Sequence, residues 1–439
     1  MYPVWEVPGL TAGLVLGLIA AFHMLPSHLS VGAMWLNVYL ESRAERENRP
    51  ELLDFVRKYS RLLLIFSYVF GSLSGVGIWF AATLAAPRAI SGLIHNYVWG
   101  WATEWVFFIV EVVGIFVYVY SFDKVDRKTH IRIGWIFALG SWTTMVVIVG
   151  ILTFMLTPGL WPQTGGFFDG FFNRTYWPQL FLRTGSMLVI AAAYATVIAA
   201  RVYDAKVRST VARAASVFGL GGLALGAACF FWYRASLPAH AVEIVEMLVK
   251  PGLRQGMIGS TVLLALYFGW LIVKPASARF WPALASILVL FAGIWSFERS
   301  RELIRKPWVI PNYMYSNQII GADLPAKGVR SEIPAINERG ILKTAPFVPK
   351  NLREVNDENR LQAGRMVALL ECAACHSLQQ GGVRSLARIA REKELDADMM
   401  EGLLYSLDQM PYMPPFAGTD PERRALAEFV AALSKGELR

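Results

Sequence analysis

The chain has 439 residues, 55% of them hydrophobic, and carries 15 Trp. That is too apolar for an ordinary soluble domain and points to a polytopic membrane protein. The formal charge of +9 could suggest nucleic acid as a partner, but the basic residues sit between apolar runs, where membrane topology accounts for them. Nucleic acid is therefore excluded.

Eight apolar segments are long enough to cross a bilayer, which takes about 20 helical residues. They run from Val7 to Leu40, Leu62 to Pro87, Tyr97 to Phe122, Ile133 to Thr157, Leu180 to Ala200, Ala214 to Tyr233, Gln255 to Val273 and Phe280 to Ser296. The first exceeds what a span needs, so its start is expected along the interface, and its length reads as a retained span rather than a cleaved leader. The loops after spans one, three, five and seven hold most of the loop Lys and Arg, among them Arg43, Arg46, Arg57, Lys124, Lys128 and Arg208. By the positive-inside rule these loops are cytoplasmic, and both termini face the periplasm of a bacterial inner membrane.

Ionisable groups inside spans cost a few kcal/mol each and are functional candidates by default. Span one holds His23 and His28, about 140° apart around a helix, so the two do not share a face and one can act as a ligand while the other packs or points elsewhere. Span three carries Glu104 and Glu111, seven apart along one face. Glu302 and Arg305 fall just past span eight, at its periplasmic end. Cys229, inside span six, reads as a small buried filler.

From Trp308 to Lys350 the pattern dissolves into Pro, Gly and mixed charge, which predicts an extended linker draped over the membrane domain. Helical periodicity returns over Leu361–Leu370 and Arg423–Leu433. Between them stands Cys372-Ala373-Ala374-Cys375-His376, the spacing at which two thiols add to haem vinyl groups while the His ligates iron. Thioether attachment takes place outside the cytoplasm, the side to which the loop charges independently assign this end. A second axial ligand is His or Met in most such carriers. No His follows His376, which leaves Met413 in Met410-Pro411-Tyr412-Met413-Pro414-Pro415-Phe416, with Met410 as the alternative. The two motifs together resemble the class I cytochrome c pattern from about Arg360 to the end.

Spans one to eight resemble the catalytic subunit of cytochrome bd-type oxidases, which reduce oxygen to water with electrons from quinol. Phe22-His23-Met24-Leu25 resembles that family's first-helix histidine. Glu111, Asp123, His130, Trp135 and Ala138-Leu139-Gly140-Ser141 repeat the spacing of its helices three and four. Glu302-x-x-Arg305-x-Pro307-Trp308-x-Ile310 resembles its E-x-x-R-Q-P-W-x-I run. Together these cover about Ala20 to Ile310. The resemblance implies His23 and Glu302 as haem ligands, Arg305 beside them, and Glu111 as a ligand or a proton-path group in line with Ser141 and Thr184. Glu104 is a cofactor-binding candidate one residue off the family's other span-three carboxylate. The family holds a low-spin haem b between a span-five His and a span-seven Met. Here Met257 remains, but Arg183 stands where the His would fall, and a guanidinium cannot ligate iron. That haem is expected to be absent unless His240 substitutes. The loop Arg234–Arg254, where the family binds quinol, is short, and the family's ninth span is missing.

The expected fold is all-α: an eight-span transmembrane bundle over residues 1–307, a linker over 308–350 and a soluble cytochrome c domain over 351–439. The expected cofactors are one covalent haem c and two haems b, one of them possibly haem d. The expected partners are membrane lipid, a second bd-type subunit, and a cytochrome c or a quinol. The expected activity is oxygen reduction at a periplasm-facing di-haem site fed from haem c. Two alternatives stand beside it: a transfer subunit passing electrons out through haem c, and a scaffold that merely anchors the cytochrome.

Overall fold

The computed structural model describes residues 5–438. Its eight long apolar helices span Ala12–Arg46, Glu51–Ala85, Val98–Tyr120, Arg127–Phe154, Tyr176–Ala199, Ala205–Ala235, Pro251–Val273 and Phe280–Leu303. They are numbered one to eight below. Span one starts at Ala12 rather than Val7 because Thr11 caps it, its Oγ1 accepting from Leu14 N at 3.1 Å; a side-chain oxygen there satisfies one of the helix's orphan N–H groups. At 35 residues it is about 52 Å long, well beyond the hydrocarbon core. Span two changes to a π-helical turn over Leu63–Phe70.

Span one is the axle of the bundle. It packs against spans two, four, five and eight, and from Ser30 to Leu40 most of its residues are buried. Span five is the other buried element, with Ala191, Ala192, Ala193 and Ala195 fully buried along it, and it packs on span six. Close approach there depends on Gly185 and Gly222, since a Cβ at Gly222 would fall 2.6 Å from the Gly185 carbonyl oxygen. Spans three and seven bury far less, as helices bordering lipid do.

Two expectations change. Span eight continues past Ser296 to Leu303, so Glu302 lies in its last helical turn rather than beyond it. The segment 308–350 is folded rather than extended. Strands Trp308–Ile310 and Met314–Tyr315 pair antiparallel, and short helices cover Ile333–Arg339 and Ile341–Thr344. Its apolar residues are shared between two cores. Ile310, Tyr313, Met314 and Leu324 pack with Ala89, Leu93 and Phe154 of the membrane unit. Ile319, Ile336, Ile341 and Leu342 pack with the C-terminal helices. Arg88, after span two, fixes this bridge with a two-pronged ion pair to Glu332 (2.7 and 2.9 Å) and a bond to the Gln318 carbonyl (2.9 Å). A paired guanidinium–carboxylate fork gives direction as well as attraction.

The C-terminal unit is built on helices Arg360–Glu371 and Asp420–Lys435, which cross at Gly364 and Ala425. A capping box of Thr419 and Glu422 starts the second helix. Glu422 also accepts from Ile341 N (3.0 Å) and Leu342 N (2.8 Å), tying the bridge to the unit.

Candidate functional site

The residues singled out in the sequence fall into three places. The first is the seam between the C-terminal unit and the end of span eight. Cys372 ends helix Arg360–Glu371, and His376 follows in the next turn, its N–H on Cys372 O at 2.9 Å. His376 Nδ1 donates to Arg384 O at 2.8 Å. A carbonyl only accepts, so the proton is on Nδ1 and Nε2 keeps its lone pair, as an iron ligand requires. Burial pulls the His376 pKa down to about 4, which keeps the ring neutral at pH 7. Burial also raises the Cys372 thiol. Glu371 rises to about 8 through burial, with Asn317 donating to it at 2.8 Å. Met413 lies on its expected loop, its N–H on Met410 O (3.0 Å), and the adjoining Phe416 and Ala417 join the same apolar core as Cys372 and Ala373.

This motif is seated on the membrane unit. A Cβ at Gly13 in span one would lie 3.2 Å from Glu302 Oε1 and 3.4 Å from Ala374 O. One at Gly17 would lie 3.4 Å from Glu302 Oε2. Lys306 Nζ stands 3.1 Å from Cys375 Sγ. The segment before span one straps across the motif, with Gly9 O accepting from Val383 N at 2.9 Å. Glu302 pairs with Arg299. Arg305 is half-buried, its guanidinium against Met155 Sδ at 3.5 Å and its Nε without a partner among the described residues. Burial lowers its pKa to about 10.

The second place is the middle of the bundle. His23 Nδ1 lies 2.9 Å from Ser74 Oγ, and Ser74 spends its own proton on Phe70 O at 2.6 Å. His23 therefore donates from Nδ1, which leaves the lone pair on Nε2. Glu111, buried in span three, accepts from Ser30 (3.2 Å) and Tyr68 (3.4 Å) on Oε2. Glu104 is half-exposed on the same helix. Thr184 does not join a line with Glu111: it accepts from Trp142 Nε1 at 3.2 Å and donates to Leu180 O at 2.9 Å. His23, Glu111 and Glu302 are not brought into mutual contact. His23 faces span two, Glu111 faces Ser30 of span one, and Glu302 faces Gly13 and Gly17.

The third place is around Arg183, and the sequence reading missed its partner. Arg183 Nη2 donates to Glu298 Oε1 at 2.9 Å, and Arg301 donates to Glu298 Oε2 at 2.7 Å. Arg183 Nη1 also reaches His28 Nε2 at 3.4 Å and Met24 Sδ at 3.8 Å. Arg183 and Glu298 are only 6% and 7% exposed. A guanidinium is a pure donor, so His28 Nε2 accepts from it and is not a bare ligand. Met257 makes no part of this cluster and is half-exposed on span seven. His240 is on the short helix Ala239–Leu248, its Nε2 unpartnered among the described residues. The residues at this position do not fit a haem. The chain places a filled, paired ionic cluster there.

A buried network at the other end of span one also escaped the sequence reading. Glu41, fully buried, accepts from Tyr118 OH (2.6 Å), Arg127 Nη1 (2.7 Å) and His130 Nδ1 (2.6 Å). Asn37 donates to Ser60 at 3.0 Å in the same interior. Ser30, Asn37 and Glu41 are spaced seven and four apart, one face of a helix.

The family model of the cytochrome bd terminal oxidase subunit I matches residues 12–233. A solved structure of the bd oxidase from Geobacillus thermodenitrificans shares the fold, with a TM-score of 0.60 at 16% identity, covering 73% of this chain and 90% of that chain. No curated protein matches. The chain belongs to the cytochrome bd terminal oxidase subunit I family and is a multi-pass, inner-membrane haem oxidoreductase of the bd type.

Proposed function

We propose that this oxidase subunit takes its electrons through a covalent haem c at Cys372 and Cys375, not through a quinol-linked haem between spans five and seven. Family membership carries haem b or d cofactors, a second membrane subunit and a lipid environment. The observation that carries the proposal is the seating of the C-x-x-C-H motif on the end of span eight. Ala374 O and Glu302 converge on Gly13, and Lys306 reaches Cys375.

Bound there, a haem supplies reversible one-electron transfer. Cys372 and Cys375 would hold it, His376 Nε2 would ligate its iron, and Met413 would offer the second axial ligand. On the membrane side, the Nε2 lone pair of His23 and the carboxylate of Glu302 are the groups fitted to ligate, and Gly13 and Gly17 leave space beside Glu302. Glu104 and Met257 stay cofactor-binding candidates of the second rank. Arg305 offers an unpartnered guanidinium N–H to an anionic group. Oxygen reduction consumes protons, and Glu111 Oε2, bonded by Ser30 and Tyr68, is the buried carboxylate placed to hold one. The polar face Glu41, Asn37 and Ser30 leads to it from the cytoplasmic end of span one. The C-terminal unit, residues 351–439, functions as a periplasmic cytochrome c, with both termini on that side.

Counting haems by pyridine haemochrome tests this. The expected result is one haem c and two membrane haems per chain. A chain with no haem c, or with a third membrane haem of low-spin spectrum, contradicts it.

A further inference from the structure

Where the C-terminal unit meets span eight, cations gather. Arg299, in the last turns of the span and 13% exposed, pairs with Glu302. Lys306 Nζ lies 3.1 Å from Cys375 Sγ and 3.2 Å from Ser316 Oγ. Arg384 arrives from the opposite side, on the loop after the C-x-x-C-H motif, within electrostatic reach of Arg299, Glu302 and Cys375. Arg384 and Lys306 both act on the His376 ring. Glu302 is the acid of this group, and it is already engaged by Arg299. Glu371, on the far side of Cys372, is bonded to Asn317 and held protonated at pH 7. Two cations are thus left partly buried without an acid, an arrangement that is unfavourable unless an anion joins it.

Arg384 is also held in an unusual backbone conformation. Its φ is 49°, the left-handed region that residues other than Gly, Asn and Asp seldom occupy. In that conformation its carbonyl accepts from His376 Nδ1 while its guanidinium stays within electrostatic reach of Arg299 and Glu302. One residue thus serves both the histidine and the seam.

The geometry points to an anion clamp, in which Arg299, Lys306 and Arg384 bind a haem propionate carboxylate at the seam between the two units. This rests on reading Cys372–His376 as a haem c site. The carboxylate belongs either to that haem or to a membrane haem facing it across Gly13. Planar guanidinium forks suit a carboxylate in two-pronged geometry. Engaged from both sides, it would fix the edge-to-edge spacing of the two redox groups.

The test uses the full-length protein purified with its bound haems. Pyridine haemochrome comes first: absence of haem c removes the underlying reading, whereas its presence leaves the clamp to be decided by redox titration. Arg384→Gln is expected to lower the haem c midpoint, because losing a positive charge favours ferric iron. The reduced-to-oxidised ratio at fixed potential should fall about tenfold, or about 59 mV for one electron. Arg384→Lys should recover most of that shift. A drop in a membrane haem's midpoint instead assigns the carboxylate to that haem and equally supports the clamp. Arg299→Gln combined with Arg384→Gln should shift less than the two single changes summed, because both bind one carboxylate. Strictly additive shifts, or unmoved midpoints in both variants, would overturn the clamp.

Discussion

Replacing His376 with Ala should reduce oxygen uptake driven by a reduced soluble one-electron donor by at least roughly 100-fold. Loss of even an outer partner of a metal ligand costs about 10–100-fold, and under the proposed haem c site His376 is the ligand itself. The ring has no substitute in the C-terminal unit, since no His follows His376. Uptake driven by a small membrane-permeant dye, which can reduce membrane haems directly, should persist. That contrast separates the loss of a redox relay from general damage. If the dye-driven rate falls equally, His376 supports the membrane unit structurally and the relay account fails.

The second large effect concerns stability. Glu298 stands between Arg183 and Arg301, accepting from each, with His28 beside Arg183. Glu298→Gln leaves two buried guanidiniums without a counter-charge. Breaking such a pair from one side costs about 3–5 kcal/mol, so the melting temperature in detergent should fall by many degrees. Arg183→Met should be far milder, because it leaves Glu298 and Arg301 as a balanced pair and supplies an apolar side chain of similar length. Thermal unfolding of the two variants side by side decides the matter. An Arg183→Met variant as damaged as Glu298→Gln would show that the cluster is not held by charge balance.

The reason for the asymmetry also explains what the sequence could and could not reveal. Hydropathy alone located all eight spans, because a bilayer demands about 20 apolar residues wherever it is crossed. It stopped span eight at Ser296, where charges begin. The charges themselves carried the missing information: Glu298 and Arg301, then Arg299 and Glu302, are each three apart, the spacing of partners on a helix surface. Read that way, the helix continues to Leu303 and Glu298 becomes visible as an interior carboxylate. That it faces Arg183 was not legible, since the pairing joins residues far apart in the chain through the packing of spans five and eight.

The bridge over 308–350 failed for a different reason. Its prolines and glycines read as an open linker, yet Ile310 and Leu324 bury against the membrane unit and Ile341 and Leu342 against the C-terminal unit. Isolated apolar residues without period two or period 3.6 give no signal until both surfaces are present. The C-x-x-C-H spacing could be read directly, because it is a local pattern in the chain. The motif's docking on Gly13 and Glu302 could not, since that contact joins the two ends of the chain. The Glu41 network was hidden likewise: Glu41 stands at the boundary of span one, where a charge raises no question until Tyr118, Arg127 and His130 close over it.

The most direct test of the account is the choice of electron donor. Oxygen uptake by the purified protein should be measured with a reduced soluble cytochrome-like donor and with a quinol, in the native chain and in Met413→Ala. The account expects uptake with the one-electron donor, little with quinol, and a marked loss in Met413→Ala. Uptake that requires quinol and is indifferent to Met413→Ala would contradict it.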